Sequence, residues 1–361
     1  GMELIEYNFE TAAKIQIPGA WNAADEKLFF YRGPVWLYKK FRYSPKKESL
    51  THLYIEGSNF TTKIFINGSI VGKFEGGYVP FNFEISEYLN DGDNILLVQT
   101  DNALNESSVP TQKTDWWPWG GIVGDVYIVE TPKQFIRNAY LQLNPENFSQ
   151  AHFNLEMNDR FAGQEIHLEI PELQFSNKFI TNSSGAITEN IKITPQLWSP
   201  SNPKLYEVII SSNNESIKDE IGFRSIKTQG KKIYLNNSEI RFKGIAMHSE
   251  PIGIDGPAFS QEHFKELLST AKELNINFVR AAHYPYTRHL AKIADQFGLM
   301  LWEEVPVYWN IDWDNSETLT IAKNQITRLV QRDQNRASVV VWSVANETPL
   351  SSSRMKFLHT L

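Results

Sequence analysis

The sequence contains no cysteine, which excludes a disulfide framework and any metal held by thiolates. It has no run of eighteen apolar residues, so no membrane-crossing helix is expected. The start, Gly1-Met2-Glu3, lacks a basic segment followed by an apolar one, and no secretory leader is read there. Gly1 ahead of Met2 resembles the scar of a cleaved tag, so a native leader could have been removed. Positive charge is in short supply: 35 Lys and Arg face 42 Asp and Glu, for a formal net charge of −7. Nucleic acid and anionic membrane surfaces, which need a basic face, are not expected partners. Also missing are a His-x-x-x-His pair, a Walker loop, a nucleophile elbow and any internal repeat. Aromatic residues are abundant, with ten Trp among 361 residues. That suits sugar binding, and equally the core of large β-sandwiches.

The length calls for two or three domains. Residues 1–132 read as short strands between turns. Thr62 to Ile66 alternates polar and apolar residues, meets Asn67-Gly68, a strong hairpin signal, and returns as Ile70 to Phe74. Such evenly spaced strands predict a jelly-roll β-sandwich. Residues 133–228 repeat the strand pattern over a length that suits an immunoglobulin-like β-sandwich. Residues 229–361 change period. Strands at Arg241–Met247, Asn277–Ala282, Leu299–Trp302 and Ser338–Val344 alternate with helices at Gln261–Leu274, Arg288–Phe297, Glu317–Arg332 and Ser353–Leu361. This is the rhythm of parallel strands with right-handed crossovers, and predicts the first four units of a (β/α)8 TIM barrel.

The four strands exit into Met247-His248-Ser249-Glu250, Arg280-Ala281-Ala282-His283, Glu303-Glu304 and Asn346-Glu347. One polar exit is uninformative, since charged loops meet solvent. Four in succession predict one pocket at the C-terminal barrel face. Glycoside hydrolysis needs a carboxyl that protonates the leaving oxygen, and Glu347 is the candidate catalytic residue. Asn346, His283, Arg280 and His248 are candidate sugar-binding residues. Arg280 reads equally as an ion-pair partner inside the barrel, braced by Glu304, and His248 as a loop-building residue. In the first domain, Asp115-Trp116-Trp117-Pro118-Trp119-Gly120-Gly121 forms a stiff aromatic loop. Its Trp residues read as sugar platforms or as an interdomain plug, and Asp115 as its functional member. Glycosylation sequons occur at Asn59, Asn67, Asn182 and Asn346. A glycan on Asn346 would block the pocket, so a bacterial cytoplasm or periplasm is the expected setting.

These residues bring a family into view. Pro18-Gly19-Ala20-Trp21-Asn22, Gly33-Pro34-Val35-Trp36, Gly76 to Phe81, Asp115 to Ile122, Gly222-Phe223-Arg224, Phe278 to Tyr286 and Trp342 to Glu347 together resemble glycoside hydrolase family 2, the β-galactosidase and β-glucuronidase family. The resemblance implies a sugar-binding jelly roll, an immunoglobulin-like sandwich and a (β/α)8 catalytic barrel. It implies a retaining exo-β-glycosidase for terminal β-galactosides or β-glucuronides, with Glu347 as general acid/base and Asn346 orienting substrate. His283 and Asp115 would contact the sugar. The family's nucleophile is a second Glu on the seventh strand, so these residues are expected to lack it and to be inactive alone. The magnesium-binding Glu and His that some β-galactosidases carry after the third strand are replaced by Val305-Pro306-Val307-Tyr308-Trp309. No metal and no other cofactor is expected. An open sheet edge predicts possible homo-oligomers. The alternative is a noncatalytic carbohydrate-binding or assembly protein derived from the family.

Overall fold

The computed structural model describes residues 8–361; the reading of Gly1-Met2-Glu3 lies outside them. The first sandwich is built from two antiparallel sheets. One orders Pro34–Tyr43, Gly92–Asp101, Thr61–Ile66 and Ser69–Glu75; the other orders Val126–Pro132, Ser49–Ile55 and Phe81–Glu84. Alternation along Thr61–Ile66 sends every second side chain inward, as a period of two requires. Ile64, Ile66 and Val98 thereby meet Leu53, Ile55 and Phe81 across the sheets. Asn67 and Gly68 turn the hairpin with φ of 50° and 84°, the left-handed pair that a primed turn needs.

The second sandwich sets Ile136–Leu143, Gln150–Met157 and Ala186–Lys192 against a four-stranded sheet made of Phe175–Ile180, Glu165–Ile170, Tyr206–Ser211 and Ser216–Ile221. Phe153, Leu168 and Val208 are central in its core.

After a small meander come four parallel strands in chain order: Gly244–Met247, Phe278–Ala281, Met300–Glu304 and Val339–Ser343. Helices Gln261–Glu273, Arg288–Phe297, Ser316–Asp333 and Ser352–Thr360 follow them in turn. On the first helix Phe264, Leu268 and Ala271 are buried, one stripe of the helical period. Gly298 ends the second helix at φ 67°, a left-handed cap. The first strand is shorter than its sequence suggests. Residues 241–243 do not pair along it, because the Asn277 side chain takes their backbone groups: Lys243 N donates to its Oδ1 at 2.8 Å and its Nδ2 donates to Arg241 O at 3.0 Å.

Both sandwiches are anchored on the third helix and the turn after it. The buried Gln325 amide donates to the carbonyls of Gly76 and Val109 in the first sandwich, and Arg328 Nη1 donates to Pro80 O at 3.0 Å. Ile321, Ala322, Ile326 and Leu329 extend the first sandwich's core into the barrel. The second sandwich grips Ala337 and Val339: Arg224 donates to both carbonyls, at 3.1 Å and 2.5 Å. Arg336 pairs with Asp219 of the sandwich and with buried Asp295 of the second helix. Gly222 lies so close to this turn that a Cβ on it would sit 2.8 Å from the Ala337 Cβ. These contacts set where the Asp115 loop lands relative to the strand ends.

Candidate active site

Six sequence-predicted residues are distributed over the exits of the first, second and fourth strands and the loop of the first sandwich. At their centre is a residue the sequence cast only as a brace. Glu304, on the third strand, is 1% exposed along its side chain. Its carboxylate takes Arg280 in a forked contact at 3.0–3.1 Å, His283 Nδ1 at 2.5 Å and Trp302 Nε1 at 2.9 Å. A carboxylate this deep requires its charge to be matched, and the guanidinium fork does so while satisfying several lone pairs. The same Arg280 donates to Asn346 Oδ1 at 2.6 Å. Because an arginine only donates, this fixes the Asn346 oxygen inward and leaves its NH2 group to donate elsewhere.

The fourth exit is bound to the third by a short parallel bridge, Tyr308 to Asn346. Asn346 N donates to Val307 O at 2.9 Å and Trp309 N to Asn346 O at 3.1 Å. Trp309 and Glu347 both adopt left-handed backbone, with φ of 52° and 50°. Such conformations cost energy in non-glycine residues and persist where surrounding contacts impose them. The result is an exposed Glu347 carboxyl that accepts a hydrogen bond from Trp309 Nε1 at 2.9 Å.

Asp115 arrives from the first sandwich. One carboxylate oxygen lies, together with a ring nitrogen each of His248 and His283, in a cluster whose atoms are all within 4.8 Å of one another. The Tyr308 hydroxyl is held far above its usual titration range, chiefly by burial and then by neighbouring Asp115. His248 is pushed below its ordinary value by burial and by neighbouring His283. Trp116 is buried against His283, Tyr284 and Tyr308, with ring centres 5.9, 5.2 and 4.9 Å away. It is an interdomain plug. Trp117 packs within its own domain against Phe29, and Trp119 Nε1 donates to Glu250 Oε1 at 3.0 Å. Glu303 faces the other way, beside Arg332 and Asp333; burial raises its carboxyl well above the usual range. Trp309 and Tyr308 were invisible as site residues from sequence. Their only signal was the aromatic pair directly after a strand exit.

Sandwich domains thus buttress a β/α sheet that gathers carboxylates, imidazoles and aromatic rings at its C-terminal ends. Three family profiles match in succession: "Glycosyl hydrolases family 2, sugar binding domain" over residues 7–132, "Glycosyl hydrolases family 2" over 134–224, and "Glycosyl hydrolases family 2, TIM barrel domain" over 226–360. The chain belongs to glycoside hydrolase family 2. A "Putative beta-glucuronidase" of Formosa agariphila is 29% identical over 96% of this chain and 44% of its own length. A "Beta-galactosidase" of Streptococcus thermophilus is 28% identical over 84% of this chain and 32% of its own length. The chain thus spans less than half the length of either relative. The solved β-D-glucuronidase of Dictyoglomus thermophilum superposes with a TM-score of 0.82 at 25% identity, covering 97% of this chain and 67% of that one.

Proposed function

We propose that these residues form the acid/base half of a retaining exo-β-glycosidase acting on terminal β-galactosides or β-glucuronides. The domains would be a jelly roll over 1–132, an immunoglobulin-like sandwich over 133–228 and the first four units of a catalytic barrel over 229–361. The observation that carries the reading is the pairing at the fourth exit. Glu347 is held by Trp309 with its carboxyl exposed, beside an Asn346 amide oriented by Arg280. Glu347 would protonate the glycosidic oxygen as the bond to the anomeric carbon breaks. As a carboxylate it would then take the proton of the water that releases the sugar. The free Asn346 NH2 would donate to a ring hydroxyl, and Asp115, His248 and His283 would bind the outer hydroxyls. Arg280 would act on the sugar chiefly through Asn346.

The covalent step needs a second carboxylate. The buried carboxylates of the third exit are engaged elsewhere: Glu304 with Arg280 and His283, Glu303 beside Arg332 and Asp333. The nucleophile would come from a further strand, and the 361 residues alone would not turn over. The test is release of nitrophenol from nitrophenyl β-galactoside and β-glucuronide, by this chain and by one extended through the following β/α units. Each is run beside its Glu347→Gln variant. Activity confined to the extended chain and lost in its variant is the expected result. Glu347-dependent turnover by the 361 residues would overturn the division of labour.

A further inference from the structure

We propose that the exposed face of Trp309 binds the leaving group of the substrate and selects glycosides whose aglycone carries a flat apolar ring beside the glycosidic oxygen. The inference rests on the glycosidase reading and names a substrate class for it. A carboxyl that protonates the glycosidic oxygen must touch that oxygen, so the leaving group lies against whatever flanks Glu347. What flanks it is an indole: Trp309 Nε1 donates to Glu347 Oε2 at 2.9 Å.

The indole is fixed in place. Its backbone N donates to Asn346 O at 3.1 Å, and its φ of 52° is one that a bulky residue seldom adopts. Its ring centre lies 4.6 Å from that of Tyr308, which is 1% exposed and packs in turn against Trp116. Trp309 itself is 38% exposed, so it is backed by Tyr308 and open to solvent beyond. A ring already held by its surroundings gives a large contact area at little ordering cost, which suits it to receive a second ring.

The surroundings favour an apolar aglycone over a further sugar. Leu350 is the most exposed large hydrophobic side chain among the described residues, at 85%. It follows Glu347 by three residues, so their Cα atoms are at most about 11 Å apart. The polar side chains along the same two loops pair with one another. Thr348 Oγ1 accepts from Arg354 Nε at 2.6 Å, Asn310 Oδ1 accepts from Trp313 Nε1 at 3.2 Å, and Ser353 Oγ donates to Asp314 at 3.0 Å. A second sugar would need free partners for its hydroxyls, whereas a ring needs the apolar surface that Trp309 and Leu350 present.

The experiment measures kcat/KM on benzyl and methyl β-glycosides and on a disaccharide with the same terminal sugar, in the galactoside and glucuronide series. The enzyme is the chain extended through the following β/α units. Benzyl alcohol and methanol are similar leaving groups, so their ratio reads contact with the ring and not ease of departure. The benzyl glycoside is expected to be preferred over the methyl one about tenfold, the scale of one ring pair with its buried area. It should also be preferred over the disaccharide. Trp309→Ala should bring the benzyl-to-methyl ratio towards parity. Trp309→Phe keeps a ring and loses the N–H, so it should lower all rates yet retain most of the ratio. Leu350→Ser, at a position too exposed to threaten the fold, should reduce the ratio in part. Equal rates on benzyl and methyl glycosides, a ratio unaltered in Trp309→Ala, or a preference for the disaccharide would overturn the proposal and leave the glycosidase reading standing. Failure to turn over any of the three would remove that reading and the proposal with it.

Discussion

Trp309 Nε1 donates to Glu347 Oε2 at 2.9 Å, joining the exits of two neighbouring parallel strands through their side chains. The indole aims a carboxyl that would otherwise turn freely in solvent. Misplacing a proton donor costs most where the leaving group needs its proton most. In a catalytically complete chain, Trp309→Phe is expected to lower kcat/KM about tenfold for alkyl glycosides, a fraction of the roughly 10²–10⁴-fold that a positioned acid–base group contributes. The loss should be much smaller for dinitrophenyl glycosides, which leave unprotonated. Equal losses on both substrates would show that the contact is structural only.

Glu304→Gln leaves the Arg280 guanidinium in a partly buried place without its counter-charge. Breaking a buried pair from one side costs about 3–5 kcal/mol. Urea unfolding of the chain should show that loss, seen as a shifted midpoint with an unchanged slope.

Gln325→Leu leaves two interdomain carbonyls, those of Gly76 and Val109, without their donor. At about 1–3 kcal/mol for each unsatisfied buried acceptor, the loss is about 2–6 kcal/mol. Limited proteolysis should then cut between the first sandwich and the barrel before it cuts within either.

Asp295 is fully buried and its carboxyl is pushed up to about 6, principally by burial and against the pull of Arg336. In the unfolded chain it titrates near 3.9. Between those values the folded state holds a proton that the unfolded state has released, so stability falls as pH rises through this window and is flat above it. About two pKa units correspond to about 3 kcal/mol. Asp295→Asn is expected to remove this component of the decline between pH 4 and 6.5, measured by urea midpoints. A slope unchanged by the substitution would refute the assignment.

Much of the architecture is legible in the chain because it is written in local periods. The alternation of Thr61–Ile66, the left-handed pair Asn67-Gly68 and the apolar stripe Phe264, Leu268, Ala271 each follow from a few neighbouring residues. So does the succession of polar exits, since a parallel β/α repeat puts every strand's C-terminal end on one side. Local reading fails at Arg241–Lys243, where an Asn277 side chain replaces a strand neighbour. It also leaves Trp116 and Trp117 undifferentiated, although one plugs the domain interface and the other packs at home.

What the sequence determined by itself is the order of elements and the residue types at their ends, because backbone propensity and burial period act over a few residues. What only the tertiary structure decided is convergence. Asp115 and His248 are far apart along the chain, and they meet because Gln325, Arg328 and the apolar face of one helix dock the first sandwich at a set place on the barrel. Glu304 becomes the hub because parallel register aligns Trp302 with Arg280 and brings Ser343, just before Asn346, level with it. Long-range register and docking depend on surfaces that exist only once each element has folded, so no window of sequence contains them.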